Sequence, residues 1–171
     1  MTTPDAAPGP SRAPEEAARC FQEGYAAHMS GRLDDAKEWY ARSIAVSPTA
    51  EAHTFLGWAL SAQGRLDDAI AQCHLAISVD PEFGNPYNDI GAYLVEQGRL
   101  DEAVPWLERA KRASRYEPRH FPYFNLARIY IAQQKLLDAM TELRGALTVE
   151  PGYGPAKEQL VRVHRLLGLL N

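Results

Sequence analysis

The chain has 171 residues, of which 46% are hydrophobic and 23% are charged, and its formal net charge at pH 7 is −4. This composition is typical of one folded unit and excludes a fibrous or wholly disordered chain. The negative charge provides no basic field for phosphate backbones, and no apolar run approaches the roughly 20 residues that cross a bilayer, so neither nucleic-acid binding nor membrane insertion is expected. The N-terminus lacks the features of a secretory signal, which predicts a cytoplasmic protein.

The chain opens with a segment that has little to bury. Residues 1–14 are rich in proline and alanine, and they predict a disordered leader before a single domain over residues 15–171. We expect the first helix to begin near Pro14, which suits a first helical turn. Glu15 and Glu16 follow, where a carboxylate complements the helix dipole.

A short element recurs along the chain. GRLDDA begins at Gly31 and again at Gly64, GRLDEA begins at Gly98, and the weaker QKLLDA begins at Gln134, with spacings of 33, 34 and 36 residues. Such a period is typical of a solenoid of helix pairs, none of which buries its apolar face alone. In each unit the glycine is expected to end a first helix and the acidic pair to begin a second.

Small residues recur where the two helices of a pair must approach closely. They are Gly24, Gly57, Gly91 and Ala127 in the first helices, and Ala36, Ala69, Ala103 and Ala139 in the second helices. Three of the four second helices are followed by a proline, which cannot continue a helix: Pro48, Pro81 and Pro151.

These positions carry a family resemblance. The residues that carry it are the pairs Leu56–Gly57 and Ile90–Gly91, the large residues Leu60 and Leu94, and then Ala69, Ala76 and Pro81. The pattern resembles the tetratricopeptide repeat, with repeats at about 17–49, 50–83, 84–119 and 120–153. The aromatic residue usual near the start of a repeat is present as Tyr87 and Tyr123, whereas Cys20 and His53 replace it in the first two.

The resemblance implies an all-α fold, a right-handed α-solenoid of four tetratricopeptide-type helix pairs with a C-terminal capping helix. Residues 156–170 are predicted to form that capping helix, because Leu160, Val163, Leu167 and Leu170 lie on one stripe that would cover the apolar end of repeat four.

The third repeat is three residues longer than expected between Ala110 and Pro118. The extra residues either lengthen its second helix or make a longer loop. The connection also carries Lys111, Arg112, Arg115 and Arg119. These charges are either a solvated loop surface or a contact for an acidic or phosphorylated partner.

The sequence contains no recognisable arrangement of catalytic residues. The five histidines are scattered, no nucleophile stands beside a base in motif spacing, and no metal-ligand spacing occurs, so we expect no enzyme, cofactor or metal site. The acidic pairs are interpreted as partners of helix N-termini. Cys20 and Cys73 are predicted to be buried free thiols.

The first helices of stacked pairs line the concave surface, so helical spacing on their free face selects a binding stripe. The candidate peptide-binding residues on it are Phe21, Tyr25, Phe55, Trp58, Asn88, Phe124, Asn125, Arg128, Arg162 and Arg165. Exposed aromatics commonly mark interaction sites, amides hydrogen-bond a peptide backbone, and arginines grip carboxylates. The stripe therefore suits an extended or helical segment with an apolar part and an acidic part.

The sequence thus predicts a non-catalytic adaptor that holds a peptide segment of a partner protein. Two alternatives stay open for the groove: some aromatics pack between adjacent first helices, or the leader fills it. A self-assembling scaffold is a different candidate, because residues 1–86 carry 6 basic and 12 acidic residues, residues 87–171 carry 12 and 10, and the apolar run LLGLL begins at Leu166. Head-to-tail contacts between copies would build rings or filaments.

Overall fold

The structure, a computed structural model, describes residues 12–169. This part of the chain folds into nine α-helices and contains no β-strand. The helices are α1 (Ala13–Met29), α2 (Leu33–Val46), α3 (Ala50–Ser61), α4 (Leu66–Val79), α5 (Asn85–Glu96), α6 (Leu100–Arg112), α7 (His120–Ala132), α8 (Leu136–Val149) and α9 (Gly154–Leu166). Eight helices form four antiparallel pairs, and the ninth covers the end of the last pair.

The two ends of the chain were predicted to carry a disordered leader and a capping helix. Most of the expected leader, residues 1–11, lies outside the described residues, as does Leu170. Pro14 lies in the first turn of α1, as the sequence predicts. The capping helix begins two residues earlier than expected and ends at Leu166, because Gly168 adopts a φ of 70° that breaks the helix.

The seam inside each helix pair is as tight as the small residues predict. A Cβ atom added at Gly91 would lie 2.5 Å from the side chain of Leu107, and one at Gly24 would lie 2.7 Å from the ring of Tyr40. Ala127 takes the same place in the fourth pair and is completely buried. The helices approach so closely because one side of each contact is a glycine or an alanine, which leaves room for the larger side chain of the other helix.

The repeated acidic pair has a role that the sequence interpretation did not include. Its second member is bound by the arginine three positions earlier, in the pairs Arg32–Asp35, Arg65–Asp68 and Arg99–Glu102. Its first member accepts a hydrogen bond from a glutamine of the following repeat, in the pairs Gln63–Asp34, Gln97–Asp67 and Gln133–Asp101. The element therefore joins neighbouring repeats as well as starting a helix.

The glycine of the element is required by its backbone. Gly31, Gly64 and Gly98 have φ angles of 74°, 76° and 76°, in the left-handed region that glycine adopts without a steric penalty. The fourth repeat has Gln134 at this place, with a φ of 60°. A side chain in this conformation costs about 1 kcal/mol or more.

Gln134→Gly is therefore expected to raise the free energy of unfolding by roughly 0.5 to 1 kcal/mol, since the greater freedom of glycine in the unfolded chain offsets part of the gain. Urea denaturation measures the difference. The reverse change at the equivalent turn, Gly98→Gln, is the matched control and should lower stability. An unchanged or lower midpoint for Gln134→Gly would show that the turn is not strained.

The stack curves with its first helices on the inside. Successive first helices contact one another, in the pairs α1 with α3, α3 with α5 and α5 with α7. Within residues 12–169, successive second helices make no comparable contact. The first helices therefore form the inner surface of the stack, and the stripe that they carry lines a groove.

The three extra residues of the third repeat form a loop, because α6 ends at Arg112 and is not longer than its counterparts. The loop folds back on the connection between α4 and α5: the amide of Arg115 donates to the carbonyl of Glu82 at 3.1 Å, and the amide of Gly84 donates to the carbonyl of Arg115 at 2.9 Å. Tyr116 is buried beneath it.

Most of the positive charge of this connection is neutralised within the chain. Arg115 binds Glu51 at 2.7 Å and Asp80 at 2.5 Å. Lys111 lies 3.1 Å from both Glu108 and Glu142. The basic residues thus fasten the loop to its neighbours, which favours a structural role over a partner contact.

Two further expectations concern the chain as a whole. Cys20 and Cys73 are both buried and free, as predicted. Burial raises the pKa of the Cys73 thiol, so this thiol stays protonated and unreactive. None of the described helices is long and apolar enough to cross a lipid bilayer.

Candidate peptide-binding groove

Four of the candidate residues form an aromatic cluster on α1 and α3, at the N-terminal end of the groove. Phe55 lies at its centre, with ring centroids 5.1 Å from Phe21, 5.8 Å from Tyr25 and 4.4 Å from Trp58. Phe21 and Phe55 also contact the buried ring of Tyr40, so they pack between helices, as the alternative interpretation allowed. Tyr25 keeps 42% of its surface exposed and is the member most open to a guest.

An apolar cavity lies beside this cluster, where α1 and α3 begin. Its volume is about 260 Å³. Ala17, Ala18 and Phe21 of α1 form the apolar wall, and Thr49 and Glu51 lie on the side of α3. The sequence did not predict this cavity, because its walls come from segments whose distance depends on how two helix pairs stack.

The centre of the groove contains a chain of hydrogen bonds that crosses three first helices; we call it the polar chain. The Trp58 Nε1 atom donates to Asp89 Oδ2 at 2.5 Å, and Asn88 Nδ2 donates to Asp89 Oδ1 at 3.4 Å. Asn125 Nδ2 donates to Asn88 Oδ1 at 3.0 Å, and Arg128 Nη1 donates to Asn125 Oδ1 at 3.4 Å. The polar chain therefore joins α3, α5 and α7.

The two candidate amides are largely buried in the structure. Asn88 and Asn125 are each only 8% exposed, and they bind each other. Both lie beneath the groove surface because neighbouring first helices approach closely enough for direct contact. A hydrogen bond from either amide to a guest backbone stays a prediction.

Asp89 is a buried carboxyl group at the centre of the polar chain. Burial raises its pKa to about 7, although the hydrogen bonds from Trp58 and Asn88 act in the opposite direction. In the described part of the chain it forms no ion pair. It lies on the stripe selected by helical spacing, at the position that corresponds to Phe55, but spacing alone could not show its burial.

The C-terminal end of the groove combines aromatic rings with positive charge. Phe124 is half-buried, and its ring centroid lies 5.2 Å from that of Tyr153. Phe121 also contacts Tyr153 and is 37% exposed. Sequence reasoning missed Tyr153 because it precedes α9 and lies outside the helical stripe.

Three candidate arginines at this end are exposed: Arg128 on α7, and Arg162 and Arg165 on α9. In residues 12–169 none of them forms an ion pair, unlike the arginines at the repeat turns. Unpaired, solvated guanidinium groups are available for bidentate contact with a carboxylate. Binding of an acidic group at this end stays a prediction.

The candidate groove residues carry aromatic, amide and guanidinium groups. Within residues 12–169 no group of three or more His, Cys, Asp or Glu side chains is placed to hold a metal ion. A curved stack of helix pairs defines the class of α-solenoid proteins, whose concave surfaces commonly bind partners.

Family models identify the chain more closely. Models of the tetratricopeptide repeat match residues 21–82, 87–115 and 122–153, so the chain belongs to the tetratricopeptide repeat family. This membership supports a role in protein–protein interaction, since repeats of this family are generally non-catalytic interaction modules.

Solved structures show the same fold at low sequence identity. The structure of pilF from Pseudomonas aeruginosa is 19% identical, with a TM-score of 0.86 over 92% of this chain and 72% of that chain. PilW, a type IV pilus biogenesis factor, is 18% identical, with a TM-score of 0.80 over 90% and 70%. YrrB, a TPR protein with an unusual peptide-binding site, is 16% identical, with a TM-score of 0.67 over 84% and 73%.

Proposed function

We propose that this protein is a non-catalytic adaptor that holds a peptide segment of a partner protein in the groove. The proposal is supported by an aromatic cluster on α1 and α3 near one end of the stack and by three exposed arginines on α7 and α9 near the other end, none of which has an ion-pair partner within residues 12–169. Neither an aromatic cluster nor a group of arginines without ion-pair partners is required on a surface that contacts only solvent. The peptide-binding site of YrrB, a protein of the same fold, supports the proposal by analogy.

The aromatic cluster and the arginines at the two ends of the groove indicate which side chains the guest carries. Aromatic side chains supply large contact areas and are enriched among the residues that dominate binding energy. Arginines bind carboxylates through paired hydrogen bonds. The guest is therefore an extended or helical segment with an apolar part and an acidic part.

Tyr25→Ala and Arg128→Glu are each expected to reduce capture of the guest from cell lysate by at least about tenfold, which is 1.4 kcal/mol. Affinity capture with quantitative mass spectrometry measures the loss. Trp58→Ala should act in the same direction. Because it also removes the donor to Asp89, it is interpreted only with the circular dichroism spectrum of the folded protein.

Matched controls lie on the outer helices. Arg144→Glu on α8 makes the same charge change as Arg128→Glu, and Leu75→Ala on α4 removes an exposed apolar side chain. Both should leave the captured proteins unchanged. If the groove variants and these controls retain the same proteins equally, the groove does not hold the guest.

Self-assembly is a second candidate, favoured by the exposed leucines at the C-terminal end. Leu166 is 57% exposed and Leu169 is 60% exposed. Contacts between copies would cover these side chains and bring the acidic N-terminal half against the basic end. Light scattering at low salt distinguishes the candidates, since a mass that stays monomeric at every concentration excludes assembly.

A further inference from the structure

We infer that the guest is an extended segment with two anchors, an apolar side chain in the cavity between α1 and α3 and an acidic group on Arg128, about six to nine residues apart. This inference rests on the proposed function. It specifies which kind of segment the groove selects and which parts of the groove bind it.

The apolar anchor follows from the cavity. Its volume is about 260 Å³, and it opens beside the aromatic cluster. Ala17, Ala18 and Phe21 form its apolar wall, and polar side chains at the end of α2 and the start of α3 complete its lining: Ser43, Ser47, Thr49 and Glu51. Ala17 and Ala18 are too small to fill the space themselves. An apolar side chain of the guest would bury its surface there, at about 25 cal/mol for each square ångström removed from water.

The acidic anchor follows from the free charge on α7. Arg128 is exposed, its contact with Asn125 Oδ1 is long at 3.4 Å, and it lies near enough to Tyr153 to act on the pKa of that phenol. An exposed guanidinium group offers a carboxylate two parallel donors. Arg162 and Arg165 add positive charge to the same end.

The centre of the groove contributes little to the guest. The Trp58 donor, the Asn88 acceptor and one donor of Asn125 are already used within the polar chain. Asn88, Asp89 and Asn125 are each only 8% exposed. The polar chain thus stabilises the spacing of α3, α5 and α7, and the part of the guest that crosses it needs no particular side chains.

The same arrangement favours an extended guest over a helical one. A helical guest binds through a continuous apolar stripe at i, i+3, i+4 and i+7. Such a stripe would have to cross the polar residues Asn88 and Asp89 of α5. An extended chain places separate side chains at the two ends and can cross the centre through its solvated backbone.

The spacing follows from the geometry of stacked helices. The axes of packed neighbouring helices are about 8 to 10 Å apart. From the cavity at α1 and α3 to Arg128 on α7 there are two to three such steps, so the anchors are about 20 to 30 Å apart. An extended chain rises about 3.3 Å per residue, which corresponds to about six to nine residues.

The test is a selection from phage-displayed random peptides of about sixteen residues, long enough to reach both anchors. The full-length protein is used as the target. Enriched peptides are expected to share an apolar and an acidic position about six to nine residues apart. Selection on Arg128→Glu should lose the acidic position, selection on Ala18→Phe, which fills the cavity, should lose the apolar position, and selection on Arg144→Glu should keep both.

A synthetic consensus peptide then tests the reach between the anchors. Fluorescence anisotropy should show an affinity at least about tenfold weaker when the spacer is shortened by about three residues, because the extended chain can no longer span both sites. Peptides that bind the wild-type groove with no preferred spacing, or equally well after shortening, would overturn the two anchors and leave the groove intact. If no peptide is enriched over the Tyr25→Ala/Arg128→Glu protein, the proposed function fails as well.

Discussion

Asp89→Asn is expected to raise the free energy of unfolding at about pH 8 by roughly 3 kcal/mol. In the folded protein, burial raises the pKa of Asp89 to about 7. In the unfolded chain an aspartate has a pKa of about 3.9. Ionising Asp89 above the folded value therefore opposes folding, and asparagine removes that charge while its side-chain oxygen can still accept the Trp58 hydrogen bond.

The free energy of unfolding is expected to fall as pH rises, because of the raised pKa of Asp89. Between about pH 4 and about pH 7 the folded protein retains a proton on Asp89 that the unfolded chain has lost, so the contribution of this group to stability falls as pH rises. The groups around it do not compensate for this loss. Trp58 of α3 and Asn88 of α5 donate hydrogen bonds to it. Its charge also acts on Cys73 of α4, Tyr93 of α5 and Tyr116 of the loop, and all of these groups are uncharged at neutral pH.

Urea unfolding at about pH 5 and about pH 8 measures the effect. The wild type should lose stability between the two values through Asp89, and Asp89→Asn should lose less. Asp138→Asn, which removes an exposed acid in the first turn of α8, is the matched control and should keep the wild-type dependence. The same pH dependence in Asp89→Asn and the wild type would show that Asp89 is ionised in the folded protein at all these pH values.

The second large effect is expected at the helix seam, where Gly91→Val should lower the free energy of unfolding by about 3 kcal/mol. A Cβ atom at Gly91 would lie 2.5 Å from Cγ and Cδ2 of Leu107, which is completely buried and has no room to move. The two helices of the third repeat would have to separate. Urea denaturation measures the loss.

Gly154→Ala is the control for this substitution, because a Cβ atom there meets nothing within 4 Å, and its stability should change by less than about 0.5 kcal/mol. A double variant identifies the clash. In Gly91→Val/Leu107→Ala the space left by Leu107 should recover part of the loss, so the two effects should not add. Additive losses would place the strain elsewhere.

Features that depend on neighbouring residues in the sequence were predicted well. The repeat length, the break at Gly31, Gly64 and Gly98, and the start of α2, α4 and α6 one residue before their acidic pairs are all present in the structure. Each is a local signal, since a positive φ selects glycine and a helix N-terminus selects negative charge. The small residues at Gly24 and Gly91 also predicted the close seam.

Features that depend on contacts between repeats could not be predicted in this way. Asn88 and Asn125 are 37 positions apart in sequence, and their hydrogen bond depends on how α5 and α7 are rotated against each other. Arg115 and Glu51 are 64 positions apart, and their ion pair depends on the path of the loop after α6. Helical spacing selects a face of each helix, but it does not show how deeply a neighbouring helix covers that face.

The sequence by itself thus determined the repeat length, the number of helix pairs and the turns within them. These follow from periodicity and from backbone preferences, which act over a few residues. Only the tertiary structure decided which polar groups on the inner surface bind each other, that a cavity opens beside Phe21, and that Asp89 is buried without a cation. The reason is that hydrogen bonding and burial depend on distances between helices, which are set when the repeats pack together.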